Sequence, residues 1–307
     1  MLLLVSVALP VLLLGWGISE ISDDDEDAVG ETLEGDDGND MLDGSQGNDL
    51  IRGNGGDDVL QGRAGDDTVL GHAGDDILQG QDGADTLCSG DGDDILTGNR
   101  GADFLEGQEG DDFVSGDYSR DLVRGDEGQD TVIGGRGTDV VNGGDGDDVV
   151  FGGIVNRLPL DIAEMEALRD GTSLAEILEG ENGTINIRDD RFGDTLYGAA
   201  GNDQIFIGGL DVATGNNGDD TFNLLADQVG DGPATITDFN PDDDNVTVIV
   251  NRDLNTEIEV RTDGEDALVV AGGEVLARVT GAAGSLTAAD VTVLTEASVV
   301  HLFDPNA

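Results

Sequence analysis

Lysine is absent from this sequence. All thirteen basic residues are Arg, against 68 Asp and Glu, which leaves a formal net charge of −55 over 307 residues. A surface of that sign offers no basic face to phosphates, so nucleic-acid binding is excluded, as is electrostatic docking on anionic lipid. Cysteine occurs once, at Cys88, and no intramolecular disulfide can form. Histidine occurs twice, at His72 and His301, with no H-E-x-x-H arrangement for a zinc protease and no G-x-S-x-G elbow for a serine hydrolase. Carboxylate pairs are everywhere in so acidic a chain and therefore say nothing about glycosidase chemistry. Aromatic residues make up only 4%. That much charge with so few aromatics would leave an ordinary chain disordered, yet the 37% of hydrophobic residues are placed with strict regularity.

Long apolar runs are scarce. Residues 2–18 form one, followed by the acidic residues 23–27. The run is near the lower length limit for crossing a bilayer. It contains Pro10, which a membrane helix tolerates better than a soluble one, and no basic residue precedes it. It reads as an export or anchoring segment inserted in a membrane. The alternatives are a mis-assigned start codon or a buried hydrophobic arm, and in each case the run lies outside the fold.

What the sequence has instead is a period of nine. From Gly35 to Phe151 it parses into thirteen consecutive rows, such as GNGGDDVLQ (53–61) and GHAGDDILQ (71–79). Position 1 is Gly except at Ser89, and position 4 is Gly except at Ser119. Position 6 is always Asp: Asp40, Asp49, Asp58, Asp67, Asp76, Asp85, Asp94, Asp103, Asp112, Asp121, Asp130, Asp139 and Asp148. Position 8 is always Leu, Ile or Val. Glycine at positions 1 and 4 suits turns that need positive φ, and positions 7–9 read as three-residue strands with the position-8 aliphatic turned to one side. Such a strand cannot stand alone; stacked rows build a continuous aliphatic ladder. The rows carry 30 acidic residues and 6 Arg. Carboxylates stacked about 4.8 Å apart repel one another, and a hard cation with a flexible oxygen shell resolves this, Ca²⁺ better than Mg²⁺.

The pattern G-x-x-G-x-D-x-(L/I/V)-x resembles the RTX (repeats-in-toxin) nonapeptide. The resemblance implies an all-β fold, a parallel β-roll solenoid with two rows per turn. It places calcium between the turns of rows n and n+2, held by the position-6 Asp carboxylates and turn carbonyls. Eleven divalent ions in the gaps would nearly offset the net charge of the rows. Gly stands at position 2 only at Gly90, Gly135 and Gly144, and Ser119 breaks position 4, so a weakened site is expected around 116–121. The register returns as GAAGNDQIF (198–206) and GNNGDDTFN (215–223), with a partial row at residues 194–196, which adds Asp194, Asp203 and Asp220 as metal candidates.

Position 7 forms two outward columns. Odd rows supply Met41, Val59, Ile77, Ile95, Phe113, Thr131 and Val149; even rows supply Leu50, Thr68, Thr86, Phe104, Leu122 and Val140. The odd column is the more apolar and is expected to be the packing face, unless both columns are simply strand formers.

The organisation expected is therefore an export or anchor segment (1–22), an acidic linker (23–34), a first roll block (35–153), a helical insertion (154–188), a second roll block (189–223) and a C-terminal antiparallel β-cap (224–307). The insertion carries two capping boxes, Asp161 with Glu164 and Ser173 with Glu176. The cap has strand patterns at 235–239, 246–250, 258–262, 268–271, 275–280 and 291–294, with Gly272 and Gly273 as a hairpin turn. Its segment 236–246 resembles the I-x-D-F-x-P-x-x-D-x-(I/V) run that follows RTX rolls. Asp242, Asp243 and Asp244 read there as an acidic turn or a further ion site. The function expected is a non-enzymatic, extracellular or cell-surface calcium-binding protein that folds on taking up Ca²⁺, with type I secretion machinery as the export partner the family implies. A secreted hydrolase with an unrecognised site and a calcium-dependent adhesion or matrix module are the alternatives; the protein or glycan partner is unspecified.

Overall fold

The computed structural model describes residues 29–155, 158–170, 172, 173, 177, 187–226, 232–250 and 257–295. Within these, alternate rows pair in parallel and in register. Leu60 stands opposite Leu78 and Ile51 opposite Val69, so two rows complete one turn of a solenoid. The odd rows fall into a sheet of eleven strands and the even rows into one of thirteen. The position-8 aliphatics of both sheets meet between them, from Leu42 and Ile51 through Val150 and on to Leu196 and Ile205. This is the ladder the nine-residue period requires.

The strands are six residues long rather than three, for example Val59–Ala64 and Ile77–Asp82. Positions 1–3 of the following row continue the pairing. The residue that turns the backbone is at position 2, where Asn54, Arg63, His72 and Gln81 have φ of 78–83°. Interior position-4 glycines such as Gly65 and Gly74 also have positive φ, whereas those at position 1 do not. Position 1 is Gly for a different reason, given below.

The two roll blocks share both sheets. Val140 pairs with Thr195 and Val149 with Gln204, across the insertion. Within the insertion, helix α1 (Ile162–Arg169) begins at Asp161, whose Oδ1 accepts from Glu164 N–H at 3.0 Å while Glu164 Oε2 accepts from Asp161 N–H at 3.1 Å. The first capping box is thus formed; residues 174–176 of the second lie outside the described residues. Met165, Leu160 and Ile177 pack on the odd column of position 7, where Val59 and Ile77 are 0% exposed. Met41, at the start of that column, is 43% exposed, and Val140 of the even column 39%. The odd column is the packing face and the even face is the more open one.

At the carboxyl end Ala234–Ile236 and Asn245–Val250 continue the two sheets in parallel. The antiparallel cap consists of Ile258–Asp263, Asp266–Ala271 and Glu274–Val279, with both Gly272 and Gly273 at positive φ in the last hairpin. Asp238 accepts from Gly215 N–H at 3.0 Å and Asn216 N–H at 2.8 Å, and Phe239 packs on Phe222 with ring centroids 6.4 Å apart. That segment covers the last regular row, where strand ends and aliphatics would otherwise face water. No helix among the described residues is long and apolar enough to cross a membrane; residues 2–18 lie outside them.

Candidate metal centre

The position-6 aspartates form two hydrogen-bonded columns. The main-chain N–H of each donates to Oδ1 of the next in its own sheet, at 2.6–3.1 Å in one column and 2.7–3.0 Å in the other. The first column runs Asp40, Asp58, Asp76, Asp94, Asp112, Asp130, Asp148, Asp203, Asp220 and Asp244. The other runs Asp49, Asp67, Asp85, Asp103, Asp121, Asp139, Asp194 and Asp211. All sixteen sequence-predicted aspartates are in these columns and all are buried.

One oxygen of each carboxylate is therefore spoken for. The other, Oδ2, is buried without a hydrogen-bond partner in Asp58, Asp67, Asp76, Asp85, Asp94, Asp103, Asp112, Asp121, Asp130, Asp139, Asp148, Asp194 and Asp203. Leaving a charged oxygen so is costly unless a cation meets it. The position-1 glycines show where such a cation fits. A Cβ on Gly98 would stand 2.5 Å from Asp103 Oδ2 and 2.9 Å from Gly116 O; one on Gly116, 2.7 Å from Asp121 Oδ2 and 2.8 Å from Gly134 O. A carboxylate oxygen and a carbonyl oxygen from the next turn thus converge on the space that the missing Cβ leaves. Glycine serves position 1 through this close approach rather than through its φ; in the one row that has Ser89 instead, the serine hydroxyl donates to Gly107 O at 2.8 Å. Among the described residues no three His, Cys, Asp or Glu side chains cluster as a metal site, so an ion in a regular turn draws its remaining ligands from main-chain carbonyls. Oxygen-only, carbonyl-rich and flexible is the donor set calcium prefers.

The end turns differ. Asp40 Oδ2 accepts from Asp36 N–H at 2.7 Å and Asp49 Oδ2 from Ser45 N–H at 2.6 Å. Asp211 Oδ2 accepts from Gly208 N–H at 2.7 Å, and Asp244 Oδ2 from Asn240 N–H at 2.7 Å. Those second oxygens are tied within their own loops, and only the interior turns keep theirs free.

Burial raises the interior carboxyls, reinforced by their neighbours in the stack. Asp76 is pushed up to about 8, and Asp112, Asp121 and Asp148 to about 9; desolvation is the largest cause, and the flanking aspartates add to it. Asp194 is pushed to about 10, by burial and then by Asp211. Cys88 is pushed up to about 11 by burial and by Glu106 beside it, which makes it a poor nucleophile.

Sequence reasoning missed two features. Asp211 extends its column from a row one residue short, whereas Asp244, read as part of an acidic turn or a further ion site, ends the other column. A second, exposed ladder runs through position 5, where Asp57 Oδ1 accepts from Asp75 N–H at 3.2 Å and Asp75 Oδ1 from Asp93 N–H at 3.1 Å. The frequent Asp or Asn at position 5 was its signal.

Ser119 keeps the geometry of its turn. It takes φ of 98°, its N–H reaches Arg136 O at 2.7 Å, and Asp121 Oδ2 keeps its place beside Gly116. The irregularity is carried by backbone strain. Left-handed φ at a non-glycine costs about 1–2 kcal/mol, part of which the looser unfolded glycine chain gives back, so Ser119→Gly should stabilise the calcium-loaded protein by about 0.5–1 kcal/mol. A urea midpoint that fails to rise in calcium would contradict this.

A family model of the RTX calcium-binding nonapeptide repeat, four copies long, matches residues 30–60, 52–87, 61–96, 89–123, 124–156 and 186–209. No curated protein matches the chain. Among solved structures, the chain is similar to the crystal structure of the extracellular lipase LipA from Serratia marcescens, at 13% identity and a TM-score of 0.23, over 88% of this chain and 41% of that one. The chain thus spans about two fifths of that lipase, and so loose a superposition says nothing about activity.

Proposed function

Because this chain belongs to the RTX calcium-binding nonapeptide-repeat family, we propose that it is a non-enzymatic β-roll protein whose folding and calcium uptake are one event, outside the cytoplasm. The observation that carries this reading is the row of buried, unpartnered Oδ2 atoms, all but that of Asp94 in rows that begin with glycine, and met by a carbonyl oxygen in cradles such as those of Gly98 and Gly116. Asp58, Asp67, Asp76, Asp85, Asp94, Asp103, Asp112, Asp121, Asp130, Asp139, Asp148, Asp194 and Asp203 are assigned as the carboxylate ligands. Asp220 belongs to the first column, and Asp40 and Asp49, each at the amino-terminal end of one column, are weaker ligands. Calcium, when bound, supplies positive charge to oxygens that otherwise repel one another. The aspartates hold the turns in register through Oδ1 and offer Oδ2, and the position-1 glycines leave room for it.

Binding free energy is then folding free energy. Calcium sites of extracellular modules bind at about 10⁻⁴–10⁻³ M, and at that affinity the chain stays loose at cytosolic calcium and condenses outside. That asymmetry suits export of an unfolded chain, with type I machinery as the route the family suggests. Catalysis is not part of the assignment. An open groove of about 520 Å³ on the even face is lined by Asn142, Asp145, Tyr197, Asn216 and Asn217, with no nucleophile beside a base.

Circular dichroism of the chain titrated with CaCl₂ tests the reading. Strand signal should rise cooperatively in the range of about 10⁻⁴–10⁻³ M and stay low in equal MgCl₂, whose octahedral shell suits these turns poorly. Equal folding in both salts, or in neither, would sink it.

A further inference from the structure

The two ends of the insertion meet at a turn that no single stretch of sequence encodes. Gly152 holds position 1 of the fourteenth row and Asp194 its position 6, with the inserted residues between them. The regular cradle is nevertheless rebuilt. A Cβ on Gly152 would overlap Asp194 Oδ2, and that oxygen is buried and has no partner. Asp194 Oδ1 accepts from Asp139 N–H at 2.8 Å.

Asp190 brings a third carboxylate to this junction. Its Oδ2 accepts from Gly137 N–H at 2.6 Å. At corresponding turns the same amide reaches a main-chain carbonyl, Gly83 to Arg100 O at 2.8 Å and Ser119 to Arg136 O at 2.7 Å. A Cβ on Gly137 would lie 2.9 Å from Asp139 Oδ1, so the Asp139 and Asp190 carboxylates flank one glycine. The Asp190 charge is near enough to both Asp139 and Asp194 to raise their carboxyls further. Just beyond, Ile154–Val155 pairs antiparallel with Ile187–Arg188 as the neck of the insertion. Past the neck, Leu160 and Met165 cover Val59, Ile77 and Ile95 of the odd column.

We propose that this junction is a calcium clamp, in which Asp139, Asp190 and Asp194 take one ion beside Gly152 and so fasten the insertion across the apolar face of the odd sheet. The three carboxylates do not yet ring a single point, because Gly137 N–H holds Asp190; loading draws Asp190 off that amide toward the unpartnered Asp194 Oδ2. The inference rests on the calcium reading above and names a site the regular repeat does not contain. Affinity in such sites rises with the number of charged ligands, and this turn has one more carboxylate than its neighbours, so it fills at lower calcium than they do. Unloaded, nothing ties Asp190 to Asp194 across the junction; the insertion lifts, and an apolar column opens to solvent.

Hydrogen–deuterium exchange of the full chain at graded CaCl₂ tests the clamp. Three variants are compared with the parent: D190N, G152A, whose new Cβ fills the cradle, and G98A, which fills an ordinary cradle further back in the same column. At a calcium concentration that protects residues 53–88 in all of them, amides of α1 should exchange at least about tenfold faster in D190N and G152A, as expected on losing a charged contact. G98A should leave α1 as protected as in the parent chain. Unchanged α1 protection in D190N and G152A, or equal loss in G98A, would overturn the clamp. Protection of residues 53–88 that ignores calcium in the parent would overturn the calcium reading itself, and the clamp with it.

Discussion

In chelator at pH 7.5 the chain should show little strand signal, and lowering the pH to 5 in the same chelator should restore much of it. The interior aspartates bind their protons more tightly in the roll than in the unfolded chain, where a carboxyl titrates near 3.8. Their contribution to the calcium-free fold is thus complete below that value and is lost as pH rises through about 8 for Asp76 and about 9 for Asp112, Asp121 and Asp148. Each pKa unit is worth about 1.4 kcal/mol, so going from pH 7.5 to 5 returns on the order of 3 kcal/mol at each of these four. Four such groups already match the net stability of a whole domain, about 5–15 kcal/mol. At pH 5 the chain is still above its sequence pI of about 4.1 and keeps a net negative charge, which favours solubility. Calcium and protons should act as alternatives, each supplying positive charge at the same oxygens. Circular dichroism across pH with and without chelator decides it: a roll that persists in chelator at pH 7.5, or one that acid fails to rescue, would refute the coupling.

The roll itself was legible because its cause is periodic. Asp at position 6 and an aliphatic at position 8 of each nine-residue row specify one buried oxygen and one buried side chain per row, whatever fills the rest. The contrast between Val59 or Ile77 and Thr68 or Thr86 at position 7 likewise told the covered face from the open one, since a strand face that meets nothing apolar can carry threonine. What stayed hidden was set by the third dimension. Position-1 glycine looks like a turn residue, but its role depends on an oxygen five residues on and a carbonyl from the next turn, as at Gly98, Asp103 and Gly116. Asp211 was invisible because its row is one residue short, although its Oδ1 holds Asp194 N–H at 3.0 Å. The pairing of Gly152 with Asp194 could not be read along the chain, because closure of that turn depends on the sheets on either side staying in register across the insertion.

Asp112→Asn should move stability in opposite directions according to whether calcium is present. Asparagine keeps an oxygen for the N–H of Asp94, which donates to Asp112 Oδ1 at 2.8 Å. It replaces Oδ2, buried and unpartnered beside Gly107, with an NH₂ group, and a carbonyl, Gly125 O, lies at the same cradle as an acceptor for it. Without calcium at pH 7, the variant no longer carries a carboxyl that must stay protonated or sit charged in a buried site. The calcium-free roll should therefore gain on the order of 3 kcal/mol. With calcium, the same change removes an anionic ligand and places a donor against the ion, so the loaded protein should lose stability and bind one ion fewer. Asp111→Asn is the control, because Asp111 is exposed and its Oδ1, which accepts from Gln129 N–H at 2.8 Å, has an equivalent in asparagine. Urea midpoints for both variants, with chelator and with saturating calcium, give the four numbers needed. A shift of the same sign in both media for Asp112→Asn would mean that the carboxylate serves the fold as an ordinary hydrogen-bond acceptor and not as a metal ligand. A crossing of signs confined to Asp112 would tie the buried charge to the ion directly, because a purely structural acceptor has no reason to prefer one medium over the other.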